Sequence, residues 1–162
     1  MLSGRTEEIR RFHADPWPFQ QTFKTPLKEL ARFVSVVLGQ FNFEKASLST
    51  DEVVFEPRDV LELMARNSIT LQNHWDMNLS AEGREDIAEL LEAALGDWVD
   101  FVFLPFPELM AIYGDHDEYT TFYCKDSLIL NKLSEQLVDA GFEPVSGYTR
   151  GRSGDKSRES HD

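Results

Sequence analysis

The sequence predicts an α+β domain: an antiparallel or mixed sheet of about four to five strands with helices packed mainly on one face. Three observations predict it. Segments 25–39, 80–96 and 126–141 place apolar residues at helical spacing and end in glycine. Short apolar, β-prone runs separated by Pro and Gly fill residues 99–124. From residue 69 the order is roughly β-α-β-β-β-α-β. A chain of 162 residues is about one domain and long enough to bury a core. We divide it into an N-terminal aromatic arm packed on the core (1–24), a single α+β domain (25–146) and a flexible polar tail (147–162).

In the arm, "HADPWPFQQTF" (13–23) holds two prolines that bar a regular helix and three rings, Trp17, Phe19 and Phe23, expected to close one side of the core. Thr25-Pro26 opens the clearest helix, with Thr25 as N-cap, Pro26 at the first helical position, Leu27, Leu30, Ala31, Val34, Val37 and Leu38 at helical spacing, and Gly39 as the stop. Leu48 to Phe55 has a strand-like pattern, and Pro57 starts a short helix carrying Val60, Leu61 and Met64. "SITLQNHW" (68–75) reads as a strand. Ser80 is the expected cap of a helix that runs to Gly96. Strands follow at Val99–Leu104, Leu109–Tyr113 and Tyr119–Cys124, the first two being separate strands or one strand broken by a bulge at Pro105 and Pro107, because proline cannot donate to a ladder. Asp126 caps a last helix with Leu128, Leu130, Leu133, Leu137 and Val138 inward, and Gly141 stops it before a short return strand at 142–145.

Charge is the most informative bulk property. Residues 1–50 hold seven Lys/Arg against five Asp/Glu, whereas residues 51–146 hold five against twenty-one, a net of −16. From Asp76 to Glu118 there are twelve carboxylates, and Arg84 is the sole Lys or Arg. Such a surface disfavours nucleic acid and anionic lipid, whose binding relies on Lys and Arg. It favours a basic protein partner. The alternative use of the charge is solubility alone. On the helix over 80–96, Glu82, Glu85, Asp86, Glu89 and Glu92 fall opposite Ile87, Leu90, Leu91, Ala94 and Leu95 and make an acidic stripe. No apolar run approaches the ~20 residues that span a bilayer, and Met1–Glu8 carries no apolar signal core, so the expected location is the cytoplasm.

The stretch "YGDHDEYTTF" (113–122) places three carboxylates and a histidine in a hairpin loop. Turn chemistry alone accounts for a polar loop beside Gly114. A metal reading is also open. In it His74 and Asp76 of "NHWD" meet His116 and Glu118, with Asp115 or Asp117 as further ligands, and hold zinc, manganese or iron for hydrolysis. Cys124, alone and surrounded by carboxylates, reads as buried and inert. No phosphate-cradling glycine loop and no Gly-x-Ser-x-Gly elbow occurs, and no cofactor is indicated.

A small acidic domain without a catalytic signature is similar in type to bacterial immunity proteins and other inhibitors that cover cationic nucleases or toxins. The likeness carries no residues over. The leading expectation is an intracellular binding module, not an enzyme, that docks a negative surface on a basic partner through Glu82, Glu85, Glu89, Glu92, Asp115, Asp117, Glu118 and Tyr119. Its alternatives are the metal-dependent hydrolase and a structural subunit that makes contacts through "PWPF" and "PFPE".

Overall fold

The computed structural model describes residues 2–3, 12, 16–70, 77–107 and 109–148. Among them are four α-helices and one sheet in which every strand pair is antiparallel, as the α+β class requires. The sheet has eight strands, which corrects the expected four to five. They are β1 (Leu2–Ser3), β2 (Phe19–Lys24), β3 (Lys45–Val53), β4 (Asn78–Glu82), β5 (Val99–Phe106), β6 (Met110–Asp115), β7 (Tyr119–Cys124) and β8 (Pro144–Val145). Their spatial order is β1-β4-β3-β5-β6-β7-β2-β8. The helices are α1 (Leu30–Gly39), preceded by a 3-10 turn, α2 (Arg58–Arg66), α3 (Arg84–Gly96) and α4 (Ser127–Asp139).

The helices supply one side of the main core. Phe33, Val37, Val60, Met64, Leu90, Leu91, Leu133 and Leu137 meet Leu48, Leu79, Phe101, Phe103, Ile112 and Phe122 from the sheet. Alternation along β5 sends Val102 and Leu104 to the opposite face. There they join Phe12, Ala111 and Tyr113, with Trp17 and Tyr123 packed at the margin. Two clusters on one central strand explain why β5 is apolar almost without interruption. Cys124 is in the main core.

Several local expectations change. Phe19–Lys24, read as part of an arm, pairs along its whole length with β7; Phe23 enters the main core and Thr22 Oγ1 lies 2.8 Å from Thr121 Oγ1. Thr25 does not cap a helix: its hydroxyl is 2.8 Å from Thr120 Oγ1, and the helix after the 3-10 turn begins at Leu30. Ser68–Thr70 is not a strand, Leu71–Asp76 lies outside the described residues, and the strand of this region is β4. Helix α3 consequently starts at Arg84, after Gly83 at φ +90°, not at Ser80. Pro105 does belong to β5. It sits opposite Ala46 near the strand's end, past Phe103, the last residue paired with β6, where a missing donor is tolerated. Asp126 caps α4 as expected, accepting from the Leu128 N–H at 2.8 Å, but Leu128 and Val138 face outward.

One irregularity positions the site. The β3–β5 register shifts between Thr50 and Glu52, leaving Asp51 as an extra residue and bringing Glu52 opposite Asp100. A bulge of this kind re-aims side chains at a sheet's end.

Candidate functional site

The hairpin between β6 and β7 is tighter than its polarity suggested, since Asp115 pairs with Tyr119 and only residues 116–118 turn. Asp115 organises the turn: its Oδ1 accepts from the Asp117 N–H at 2.7 Å, and its carbonyl accepts from the Glu118 N–H at 3.1 Å. Glu118 takes φ +68°, the left-handed slot that closes three-residue hairpins and that glycine usually fills. Tyr148 donates its hydroxyl to Asp115 Oδ2, and its ring lies 4.7 Å from that of Tyr119. Asp115 and Tyr119 are therefore engaged within the chain.

His116 turns toward the start of β5. Its backbone N–H donates to Asp100 Oδ1 at 2.7 Å, and its Nδ1 lies 2.7 Å from the same oxygen. Burial opposes the imidazolium, but the Asp100 hydrogen bond and the charges of Asp100, Asp117 and Asp115 together outweigh it and raise the His116 pKa. The pKa of buried Asp100 is also raised, because desolvation exceeds the stabilisation it draws from His116. Glu52, Asp100 and His116 offer one ligand atom each within 4.8 Å of one another, as do Asp115, His116 and Asp117. Either trio could hold a divalent cation. Of the four residues expected to form a metal centre, His74 and Asp76 lie outside the described residues, and Glu118 bonds to Trp98. The carboxylates nearest His116 are Asp100, Asp115 and Asp117.

Beside the hairpin lies an open cleft of about 810 Å³, walled by Phe55, Glu56, Arg58, Asp59, Gly96, Asp97, Trp98, His116 and Glu118. Each wall has a local cause. Asp97, just past α3, caps α2 from outside: its Oδ1 and Oδ2 accept from the Asp59 and Val60 N–H groups at 3.1 and 2.8 Å. Helix α2 has no side-chain cap of its own, so this bond pair sets the α2 terminus against the end of α3. Burial raises the Asp97 pKa despite those two bonds. Trp98 follows at φ +50°, a left-handed conformation that costs a bulky residue about 1–3 kcal/mol. Its ring stands over the cleft, 41% exposed, in edge contact with Phe55, itself 56% exposed, and its Nε1 donates to Glu118 Oε1 at 3.3 Å.

The acidic stripe divides. Glu85, Glu89 and Glu92 belong to α3, and Glu89 and Glu92 line a second groove with Asp59, Glu62 and Arg66 of α2. Arg66 comes within 4.0 Å of Glu89, a positive charge that helix periodicity alone did not place there. Glu82 is the correction. It ends β4 opposite Lys45, and alternation with buried Ala81 directs it to the other face of the sheet. Asp59 lines both grooves, so Glu89 and Glu92 of α3 and Glu118 of the hairpin border adjoining grooves.

Sequence reasoning missed Phe55, Asp97, Trp98, Asp100, Glu52 and Tyr148. Only Trp98 carried a signal, as an aromatic residue placed between acids directly after a helix stop in "GDWVD". Cys124 is fully buried, and desolvation, helped by Asp126, pushes its thiol up to about 11, which leaves it unreactive. No helix among the described residues is long and apolar enough to cross a membrane. Comparison of the chain with protein-family models, with curated proteins and with solved structures finds no match.

Proposed function

We propose that the protein is a binding module that docks its acidic surface on a basic protein partner, in the manner of an inhibitor or immunity protein. What supports this reading is the position of Asp59 in the walls of both grooves, which joins Glu89 and Glu92 of α3 to Glu118 of the hairpin around exposed Phe55 and Trp98. Complementary charge accelerates encounter and selects the partner, while a desolvated aromatic centre supplies affinity. Exposed Asp117 extends the rim, whereas Glu82 and Tyr119 take no part.

The test is capture from a lysate of the source organism at low ionic strength, with salt elution and measurement of association rates for the eluted protein. The combined variant Glu89→Gln, Glu92→Gln, Asp117→Asn and Glu118→Gln should bind a basic partner more slowly and with a flatter salt dependence. Glu82→Gln, on the other sheet face, should leave both unchanged. Equal rates for the fourfold variant and the wild type would refute the reading, as would retention of no basic protein.

A further inference from the structure

We infer that the cleft between α2, the end of α3 and the 116–118 turn receives an arginine side chain of the protein partner, stacked on Trp98 and paired with Glu118. The inference rests on the basic-partner reading and adds where that partner is anchored and by which residue type.

Three observations converge on a cationic occupant. Three rings elsewhere carry one of the chain's own cations, whereas exposed Phe19 carries none. Lys125 Nζ lies 5.0 Å from the ring of Trp17, Lys45 Nζ 5.3 Å from that of Phe106, and Arg32 Cζ 4.5 Å from that of Phe142. Among the described residues no Lys or Arg stands over Phe55 or Trp98, although both are more exposed than a third of their surface. The second observation is the charge of the walls. Glu56, Asp59, Asp97 and Glu118 face Arg58 alone among fixed cations, and even after Asp97 is spent on α2 three carboxylates remain. The third is geometric. Trp98 and Glu118 are both held in left-handed conformations, and the indole N–H meets the carboxylate at 3.3 Å. The indole edge and one carboxylate oxygen thus lie side by side. One flat group that can lie on an indole and donate two parallel N–H bonds to a carboxylate is a guanidinium. An ammonium meets only the charge, not the plane.

The probe is acetyl-tetraarginine amide, titrated at low ionic strength into the 15N-labelled full chain, with the Trp98 indole N–H followed after assignment by Trp98→Phe. The Trp17 indole, which donates to the Phe12 carbonyl at 3.1 Å, serves as an internal control. The inference expects a saturable shift at Trp98, Phe55 and Glu118 with Trp17 unmoved. It expects affinity lower by about 2- to 30-fold in Trp98→Ala, the range a cation–π contact spans from exposed to desolvated sites. A parallel loss in Glu118→Gln and weaker binding of tetralysine complete the pattern. The spectra of the variants away from the cleft report that the fold is kept. Shifts confined to amides around Glu85, Glu89 and Glu92 would overturn the arginine anchor and leave the basic-partner reading standing. Equal affinities for arginine and lysine peptides would also overturn it. No shift at any site overturns it too, and the lysate capture then decides the broader reading independently.

Discussion

Gly114→Ala tests the packing that holds the hairpin against β5. A Cβ at Gly114 would lie 2.2 Å from Phe101 Cε1, 2.7 Å from Cζ and 2.9 Å from Cδ1. Carbon atoms rest about 3.5–4.0 Å apart, so the ring or the strand must retreat by about 1.3–1.8 Å. Phe101 has no exposed surface, and a close-packed interior yields little room for such a shift. Overpacking of this kind costs about 1–3 kcal/mol, and the depth of this overlap places it at the upper end. Against that, replacing glycine lowers the entropy of the unfolded chain by the equivalent of about 0.4–1 kcal/mol. The expected net loss is about 2 kcal/mol, read as a fall in the urea midpoint at unchanged slope. The cause is checked by a double-mutant cycle with Phe101→Leu, which removes the two nearest ring atoms. In that background, where only a Cδ contact remains, Gly114→Ala should cost clearly less, a coupling of about 1–2 kcal/mol. A single variant within about 0.5 kcal/mol of wild type, or an equal cost in both backgrounds, would refute the steric argument.

Asp97→Ala leaves the Asp59 and Val60 N–H groups without acceptors and should cost about 2–3 kcal/mol in equilibrium unfolding, while Asp97→Asn, which keeps one acceptor oxygen, should cost about half as much. Equal losses in the two variants would argue against the capping role. His116 has a folded pKa above its ordinary 6.5, so its contribution to stability is fully present below about pH 6.5 and is lost as pH rises through the folded value. Asp100, raised from 3.8, acts with the same sign at lower pH. Chemical denaturation between pH 5.5 and 8.5 should therefore show the wild type losing stability relative to His116→Gln; parallel curves would remove the Asp100–His116 pair as the cause.

How much was legible depends on whether a feature is written locally. Helices α1 and α4 announce themselves through periodicity and their glycine stops, because a helix buries one face with residues three and four apart. Strands β6 and β7 were legible as apolar runs around a polar turn. Strands β1 and β8, at two residues each, are too short to alternate, and β2 was hidden by the prolines before it. Gly114 shows the limit at a single residue. It reads as a turn former, yet it lies within β6, and its missing side chain makes room for Phe101 across the strand pair.

The candidate site was half legible for the same reason. Residues Asp115 to Glu118 stood out as a cluster in sequence, but their partners Asp100, Trp98 and Tyr148 come from 16 to 33 positions away. Glu82 was assigned to the acidic stripe because helical and strand periods cannot be told apart over a few residues at a boundary. The sequence by itself determined the acidity of residues 51–146, the α+β class, the buried cysteine and the presence of a polar hairpin. Each follows from composition or from a short repeat. Only the tertiary structure decided which carboxylates share a surface and which aromatic rings are left exposed among them. The capping of α2 by Asp97 and the Trp98–Glu118 hydrogen bond do this, and both join residues that no local pattern relates.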